Sequence, residues 1–343
     1  MQTVRSLAAR LRSRFGRRGL VLLYHRVGEP SADPQLLSVS PARFAEHLEI
    51  MREHAAVVPL QGLKQRLAAR NSGRRAIIIT FDDGYADNLL TAAPILAQSA
   101  LPATVFVAAG TVERKTEFWW DELERLLLQP GRLPRLLKVG VNGVGFEADM
   151  ADSCDYTEIM AQTNRNWSVL CQEPTTPRHA AYRRLCVILR PLPLRAREET
   201  LTELRKWAGT DTLARASRRA LTADELRQLA ASGLVEVGAH TVNHPVLAAQ
   251  SLAEQRDEIV QSKARLENIL GKPVTSFSYP YGGKSDYTRE TVALCRKAGF
   301  QSACSNFPGL VSPRTDPFQL PRFLVRNWDA DTFRRKLREW LRG

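Results

Sequence analysis

The segment Ala76-Ile-Ile-Ile-Thr-Phe-Asp-Asp-Gly-Tyr85 combines an uninterrupted apolar run with two adjacent carboxylates and a glycine. Such a run predicts a buried strand, and α/β barrels keep their catalytic groups at the carboxyl ends of their strands. Adjacent residues of a strand point to opposite faces, so Asp82 and Asp83 can serve one site only if the strand breaks there. Gly84 can supply that break. An ordinary Asp-Asp-Gly turn is the alternative.

Similar apolar runs recur along the chain and alternate with helical patterns. Strands are predicted at 20–25, 103–108, 234–239, 276–281 and 320–325, and helices at 41–53, 60–69, 86–98, 222–231, 252–270 and 287–298. Two helices carry boundary signals, because Thr222 and Glu225 can form a capping box and Gly271 is a typical stop. The alternation predicts an α/β fold with a mostly parallel sheet, open or closed into a barrel.

The alternation is lost between residues 113 and 220. This stretch holds an acidic helix start with Trp119 and Trp120, a Gly/Val-rich segment that predicts a hairpin, and arginine-rich helical segments. A loop of this length needs structure of its own. We therefore expect an inserted, mainly helical subdomain or lid at 113–220, a barrel formed by 20–112 and 221–330, and a C-terminal helix at 331–343. The two tryptophans suit either sugar stacking or packing within the insert.

The composition excludes several classes of protein. The chain has 343 residues, of which 44% are hydrophobic, and its five cysteines are odd in number and include no C-x-x-C pair. This argues against a disulfide framework and a zinc ribbon, and it fits a reducing compartment. No apolar run approaches 18 residues, so no membrane-spanning helix is predicted.

The chain carries a net charge of +13, and its first 20 residues contain six arginines and no acid. Residues 1–19 show helical spacing of apolar side chains but no secretory signal pattern. A contact with anionic lipid, a mobile basic tail and a helix packed on the body are the alternatives. Nucleic acid is not an expected partner, because no recognition motif accompanies the basic residues. These features predict a cytoplasmic protein, with a peripheral contact at the inner membrane face as one of the alternatives.

A second group of polar residues, His240-Thr-Val-Asn-His244, follows the predicted strand at 234–239. Two imidazoles four residues apart are a common metal-ligand spacing, although two surface histidines would show the same spacing. With an aspartate from another strand end they would form an Asp-His-His set with one open coordination position. Catalytic zinc sites keep such a position for water or substrate.

A third group, Phe277-Ser-Tyr-Pro-Tyr-Gly-Gly283, also lies at a predicted strand end. Pro280, Tyr281 and the two glycines can turn backbone N–H groups into a site, where they would hold an oxyanion. By itself this pattern is more typical of an ordinary turn.

These motifs occur in an order that resembles the polysaccharide deacetylase family, the nodulation-protein-B-like carbohydrate esterases. The matching motifs are Tyr24-His-Arg-Val27, Thr80-Phe-Asp-Asp-Gly-Tyr85, Ala103-Thr-Val-Phe-Val107, Gly238-Ala-His-Thr-Val-Asn-His-Pro245 and Tyr279-Pro-Tyr-Gly282. The resemblance implies a distorted (β/α)7-type barrel and a divalent metal, usually zinc, with cobalt, nickel or iron as alternatives. It covers somewhat under two thirds of the chain.

The resemblance also implies roles for individual residues. Asp82 matches the general base, and Asp83, His240 and His244 match the metal ligands. The backbone around Tyr281, with Pro280, matches the oxyanion hole, and Tyr85 belongs to the substrate-binding set.

Two positions depart from the family pattern. Many members place an arginine two residues before the proline to orient the base, whereas this chain has Ser278. Arg322 can take that role from a neighbouring strand end, although a structural arginine is an equal alternative. Many members also supply a general acid from a late histidine, which is absent here. His25, at the end of the first strand, is our candidate for the acid, with a buried core histidine as the alternative.

The resulting expectation is a metal-dependent hydrolase that removes an N-acetyl or N-formyl group from an amino sugar. The basic charge suits an anionic substrate, such as a lipid-linked or nucleotide-linked sugar of cell-surface polysaccharide assembly. A non-catalytic carbohydrate-binding protein and a hydrolase of a non-sugar amide are the alternatives. Of the remaining histidines, His47 and His54 lie on a helical pattern and are expected at the surface.

Overall fold

The computed structural model describes residues 18–68, 75–211 and 213–342. Most of the N-terminal segment for which a lipid contact was considered therefore lies outside the described residues. Two compact units are present. The first, which we call the barrel unit, comprises the described residues of 1–29, 38–110 and 221–343. The second, which we call the insert, comprises 30–37 and 111–220.

The barrel unit is built on a parallel sheet of eight strands. These are β1 (Gly19–Tyr24), β2 (Ala56–Val57), β3 (Ala76–Phe81), β4 (Ala103–Val107), β5 (Val235–Ala239), β6 (Ser276–Ser278), β7 (Ser302–Cys304) and β8 (Phe323–Leu324). The strand order is β7-β6-β5-β4-β3-β1-β8, and β2 pairs with β3. Every residue of β1, β3 and β4 is buried. Strands covered on both faces need continuous apolar sequences, which explains the uninterrupted runs.

A short stretch of chain joins the two edges of this sheet. Leu320 forms a parallel bridge with Cys304 of β7, and β8, three residues later, pairs with β1. The sheet is thereby curled, with seven strands along its path. This arrangement confirms the predicted α/β fold of the (β/α)7 type, and it brings the carboxyl ends of β1, β3, β5 and β6 to one edge.

Helices of the barrel unit follow the strands. They are Pro41–His54, Leu63–Ala68, Ala93–Ser99, Ala223–Ala231, Leu252–Leu270, Arg289–Lys297 and Ala330–Arg342, with a π-helical turn at Asn88–Ala92. A short parallel pair, Arg26–Val27 with Ser38–Val39, lies beside them. The predicted capping box is present, because Thr222 and Glu225 cap each other's backbone N–H groups. Gly271 ends its helix in the left-handed conformation, as predicted.

The insert is mainly helical, as predicted. Its helices are Trp119–Leu128, Glu158–Asn164, Pro177–Leu189 and Leu194–Ala208. The strands Leu136–Val141 and Val144–Asp149 form the antiparallel hairpin, and Gly131–Arg132 pairs with Asp155–Tyr156. The guanidinium of buried Arg178 donates to five backbone carbonyls, including those of Ser153 at 2.6 Å and Cys154 at 2.7 Å. Trp119 and Trp120 are both buried.

The prediction of a surface position is wrong for His47. Its imidazole is fully buried, contacts the Tyr24 hydroxyl and the Trp328 carbonyl, and stacks on Phe333 at 3.9 Å between centroids. Phe333 belongs to the C-terminal helix, which packs on the helix Pro41–His54 and covers the face that the local pattern assigned to solvent.

Two absences expected from the composition can be checked on the part of the chain that the structure describes. All five cysteines are free. Among the described helices, none has both the length and the apolar character needed to span a bilayer.

Candidate metal centre and catalytic carboxylate

The two carboxylates of the first motif lie directly after β3 and are both buried. The backbone enters the left-handed region at Asp83 (φ 76°) and stays there at Gly84 (φ 84°). The reversal at a residue with a side chain costs about 1–3 kcal/mol, and such strain is typical of functional sites. Glycine suits position 84, because its positive φ is strained for any side chain and a Cβ atom there would lie 3.0 Å from a methyl group of Val107. The backbone therefore changes direction at Asp83, just after the strand ends, and the two carboxylates reach different partners.

Asp83 faces the two histidines of the second motif. Its Oδ1 lies 3.5 Å from Nε2 of His240 and 3.3 Å from Nε2 of His244. One oxygen and two imidazole nitrogens lie within 4.8 Å of one another, and all three residues are buried. Three such donors fit zinc or a similar divalent ion.

The tautomer of His240 is fixed by its neighbour. Its Nδ1 lies 2.7 Å from the carbonyl oxygen of Ser278, so Nδ1 carries a proton and Nε2 is the nitrogen that faces Asp83. Metal-binding histidines are commonly oriented in this way. Burial disfavours the charged imidazole, but the carboxylates of Asp82 and Asp83 outweigh burial and raise the pKa of His240 above its ordinary value. The site thus attracts positive charge.

The loop that carries both histidines has an unusual backbone. Thr241 (φ 64°) and His244 (φ 55°) are both in the left-handed region. The Thr241 hydroxyl accepts a hydrogen bond from the backbone N–H of His244 at 3.0 Å and donates to the carbonyl of His240. These local bonds keep the two imidazoles on the same side of the turn, with centroids 4.8 Å apart.

Asp82 is held by a guanidinium rather than by imidazoles. Arg322 donates from Nη1 to Oδ1 at 2.8 Å and from Nη2 to Oδ2 at 2.7 Å. The Ser278 hydroxyl donates to Oδ2 at 3.1 Å and accepts from Nη2 of Arg322 at 2.9 Å. Burial works against a charged carboxylate, but Arg322 outweighs it and lowers the pKa of Asp82.

Arg322 is itself fixed in place. It is fully buried, and its Nε donates to the carbonyl of Ser305 at 2.7 Å. Its Nη1 also reaches the Thr80 hydroxyl at 3.2 Å. Because hydrogen bonds hold the guanidinium at Nε, Nη1 and Nη2, it can present only one orientation to Asp82.

His25 follows β1 and is half-buried beside the same edge of the sheet. Burial lowers the pKa of His25, and Arg322 and Arg326 act in the same direction. Asp83 and Asp82 oppose this shift, which places His25 within electrostatic reach of both carboxylates. The Asn88 amide donates to the His25 carbonyl at 2.9 Å and anchors this end of the strand.

The third motif also lies at this edge. Tyr281 adopts φ 60°, and its ring packs edge-on against His244 with centroids 4.7 Å apart. Pro280 is buried. Tyr85, in contrast, is fully buried beneath Arg26, whose guanidinium lies 4.6 Å from the ring centroid. Its hydroxyphenyl group packs inside the barrel unit in this structure.

One functional position was missed from the sequence. Ser278 was singled out only as the absence of an arginine, yet its carbonyl orients His240 and its hydroxyl bonds both Asp82 and Arg322. A serine has no distinctive signal in one sequence. Only the pairing of β6 beside β5 brings it to the site.

Comparison with protein families gives a match over two segments, which include the motifs of Asp82 and Asp83 and of His240 and His244. The polysaccharide deacetylase model matches residues 69–133 and 200–303. YxkH of Bacillus subtilis (strain 168), whose name provisionally places it among polysaccharide deacetylases, is 29% identical over 105 residues. That match covers 31% of this chain and 36% of the relative, so the chain spans a little over one third of the relative's length.

Two of the solved structures with the same fold align over most of this chain. IcaB from Ammonifex degensii aligns with a TM-score of 0.58 and 19% identity, over 95% of this chain and 97% of that one. Streptococcus pyogenes deacetylase PplD, solved in complex with acetate, aligns with a TM-score of 0.53 and 16% identity, over 92% and 95%. At these identities the likeness establishes the fold.

Proposed function

Since this chain carries a domain of the polysaccharide deacetylase family, we propose that it is a metal-dependent hydrolase that removes an N-acetyl or N-formyl group from an amino sugar. One observation carries the proposal. A buried Asp-His-His donor set lies beside a second buried carboxylate whose guanidinium partner keeps it ionised. Metal-assisted hydrolysis of an amide uses a Lewis acid and a base that act on the same water, and this arrangement offers donors for the one and a carboxylate for the other.

In this proposal Asp83, His240 and His244 hold the metal. When bound, the ion polarises the amide carbonyl and lowers the pKa of water. Asp82 is the general base that takes the proton of the attacking water. The two hydrogen bonds from Arg322 support that role, because they fix the carboxylate and keep it in the ionised form that can accept a proton. Arg322 thereby supplies the orienting arginine that position 278 lacks.

Proton delivery to the departing amine is assigned to His25. Its position after β1 and its electrostatic coupling to Asp82 and Asp83 support this role. The backbone at Tyr281 is the proposed donor to the developing oxyanion, in keeping with its left-handed turn beside His244.

The proposed substrate is an N-acylated amino sugar that carries a negative group, such as a lipid-linked or nucleotide-linked sugar of surface-polysaccharide assembly. The net charge of +13 supports an anionic partner. If electrostatic attraction steers the substrate, added salt should lower the rate of acetate release from a phosphorylated amino sugar. The rate with a neutral amino sugar should not change.

The proposal is tested by measuring zinc content and acetate release together, with an N-acetylglucosamine oligomer and a phosphorylated amino sugar as substrates. The wild-type protein should hold about one zinc and release acetate. Asp83→Ala should lose the zinc, because a ligand is removed. Asp82→Asn should keep the zinc and lose about 10²- to 10⁴-fold in rate, because only the base is removed. A wild-type protein that takes up no metal would refute the proposal.

The role of His25 is tested by His25→Ala in the same assay. Loss of a general acid should lower the rate by about 10²-fold or more and remove one limb of the pH–rate profile. Zinc content should stay unchanged, because His25 is outside the donor set. Near-normal turnover with an unaltered pH profile would exclude His25 as the acid.

A further inference from the structure

The metal-binding loop is held from outside by a carboxylate that belongs to none of the motifs. Glu258 lies on the helix Leu252–Leu270, and its Oε2 accepts hydrogen bonds from the backbone N–H groups of Val242 and Asn243, each at 2.8 Å. Its Oε1 accepts from the Asn243 side-chain amide at 2.7 Å. Three hydrogen bonds from Val242 and Asn243, two of the three residues between the histidines, thus converge on one side chain.

The opposite side of the same loop is fastened to the segment after β4. The backbone N–H of Ala109 donates to the carbonyl of Thr241 at 2.9 Å, and that of Gly110 donates to the carbonyl of Val242 at 2.8 Å. This contact needs a glycine, since a Cβ atom on Gly110 would lie 2.7 Å from the Val242 carbonyl. The carbonyls of Thr241 and Val242 are therefore satisfied by this segment, and the N–H groups of Val242 and Asn243 by Glu258.

The loop needs this restraint because its backbone is strained. Left-handed conformations at Thr241 and His244 each cost about 1–3 kcal/mol and persist only when their surroundings enforce them. Without Glu258 the N–H groups at 242 and 243 would lose a charged acceptor, and hydrogen bonds to charged groups are the strong ones. Relaxation of the turn would then separate the two imidazoles.

We propose that Glu258 is a positioning residue for the metal centre, which preorganises the turn so that His240 and His244 face Asp83 before an ion binds. This inference rests on the proposed function, because it takes the three donors as the metal ligands. Glu258 touches none of them and acts through the backbone at 242 and 243.

Two substitutions and a matched control test the proposal. Glu258→Ala removes all three acceptor contacts. Glu258→Gln preserves them, since its carbonyl can accept from both N–H groups and its amide can donate to Asn243 once that side chain turns over. Glu267→Ala is the control: its carboxylate lies on the same helix and accepts from Val274 N–H at 2.9 Å and from Lys263, away from the loop.

The readout is zinc affinity, measured by competition with a chromophoric chelator, together with the thermal stability of the metal-free protein. Glu258→Ala should bind zinc about 10- to 100-fold more weakly, as expected when a residue that orients the metal ligands is removed. Glu258→Gln should stay within about threefold of wild type, and Glu267→Ala should match wild type. The metal-free Glu258→Ala protein should remain folded.

Two results would overturn the proposal: wild-type zinc affinity in Glu258→Ala, or an equal loss in Glu258→Ala and Glu267→Ala, which would indicate general destabilisation. If metal-free Glu258→Ala fails to fold, the zinc affinity of Glu258→Gln is the test instead. A weakened zinc affinity in that variant also overturns the proposal. Because zinc affinity is read without substrate, absence of acetate release would refute the hydrolase while leaving this inference intact. A wild-type protein that binds no zinc refutes both.

Discussion

The barrel unit and the insert both bury carboxylates, but they neutralise them differently. In the insert, four acidic residues on or before the helix Trp119–Leu128 are matched by arginines. The pairs include Arg215 with Glu117 and Glu124, Arg218 with Asp121, and Arg205 and Arg125 with Glu122. In the barrel unit, Asp82 has a guanidinium partner, whereas the partners of Asp83 are two imidazoles.

This difference distinguishes the structural cluster of ion pairs in the insert from the candidate metal-binding site in the barrel unit. Four acids and four arginines balance in charge, so the cluster of the insert has no electrostatic reason to recruit an ion. Burial lowers the pKa of Arg215, but Glu117 and Glu124 outweigh burial and raise it, which keeps the guanidinium charged. Asp83 is a buried anion whose two imidazole partners can give up a proton and offer lone pairs, and such a donor set is stabilised by a metal.

Arg322→Ala should produce a large functional effect, because it leaves the proposed base without its orienting partner. We expect at least an approximately 100-fold loss in acetate release, with zinc affinity close to wild type, since Arg322 contacts no ligand side chain. The measurement is turnover beside a zinc titration. Arg335→Ala, which removes an exposed partner of Glu339, serves as the control and should leave turnover unchanged. Full turnover in Arg322→Ala would show that Asp82 needs no guanidinium.

Arg218→Ala should instead affect stability. It removes the partner of buried Asp121 and opens a balanced cluster, so the free energy of unfolding should fall by about 3–5 kcal/mol. Denaturant unfolding measures this loss, and zinc affinity of the folded protein should not change. The control is Arg195→Ala, whose pair with Glu199 is exposed and worth about 0–1 kcal/mol. A similar small loss for both variants would contradict the structural role of the cluster.

A fall in pH should lower the stability of each unit through a different buried histidine. Burial lowers the pKa of His47 in the barrel unit to about 4, and burial together with Arg178 lowers that of His179 in the insert to about 4. A folded-state pKa below the unfolded value of about 6.5 gives stability that is full above pH 6.5 and is lost as the pH falls toward 4. The loss from His47 is about 3 kcal/mol.

His47→Gln should therefore flatten the decline in unfolding free energy between pH 6.5 and 4, because glutamine does not titrate. The check is denaturant unfolding at several pH values, with segment-resolved hydrogen exchange to separate the units. His179→Gln should flatten the decline in the insert and leave the barrel unit unaltered. An unchanged slope in His47→Gln would mean that His47 is not a source of the acid sensitivity.

Much of the fold could be predicted from the sequence because it depends on local patterns. The buried strands β1, β3 and β4 appear as apolar runs, and the capping box at Thr222 and the stop at Gly271 mark helix ends through neighbouring residues. The candidate ligands were also recognisable, since Asp83, His240 and His244 follow strands whose carboxyl ends share one edge.

Other features depend on contacts between distant residues. His47 and Phe333 are separated by more than 280 positions, and only the packing of the C-terminal helix buries the imidazole. From the sequence, Arg322 could equally be a residue that orients Asp82 or a structural arginine. The contact with Asp82, 240 residues away, follows from the pairing of β8 with β1 and of β1 with β3.

By itself, then, the sequence determined the type of fold and the chemistry of the donor groups, because strand periodicity and side-chain identity are local properties. The tertiary structure decided which of those groups share a site and what holds them there. Ser278, Arg322 and Glu258 come from separate elements, and their hydrogen bonds to Asp82 and to the loop at 242–243 arise only where those elements pack together. Hydrogen bonds require atoms within about 3 Å, a condition that a sequence pattern does not specify.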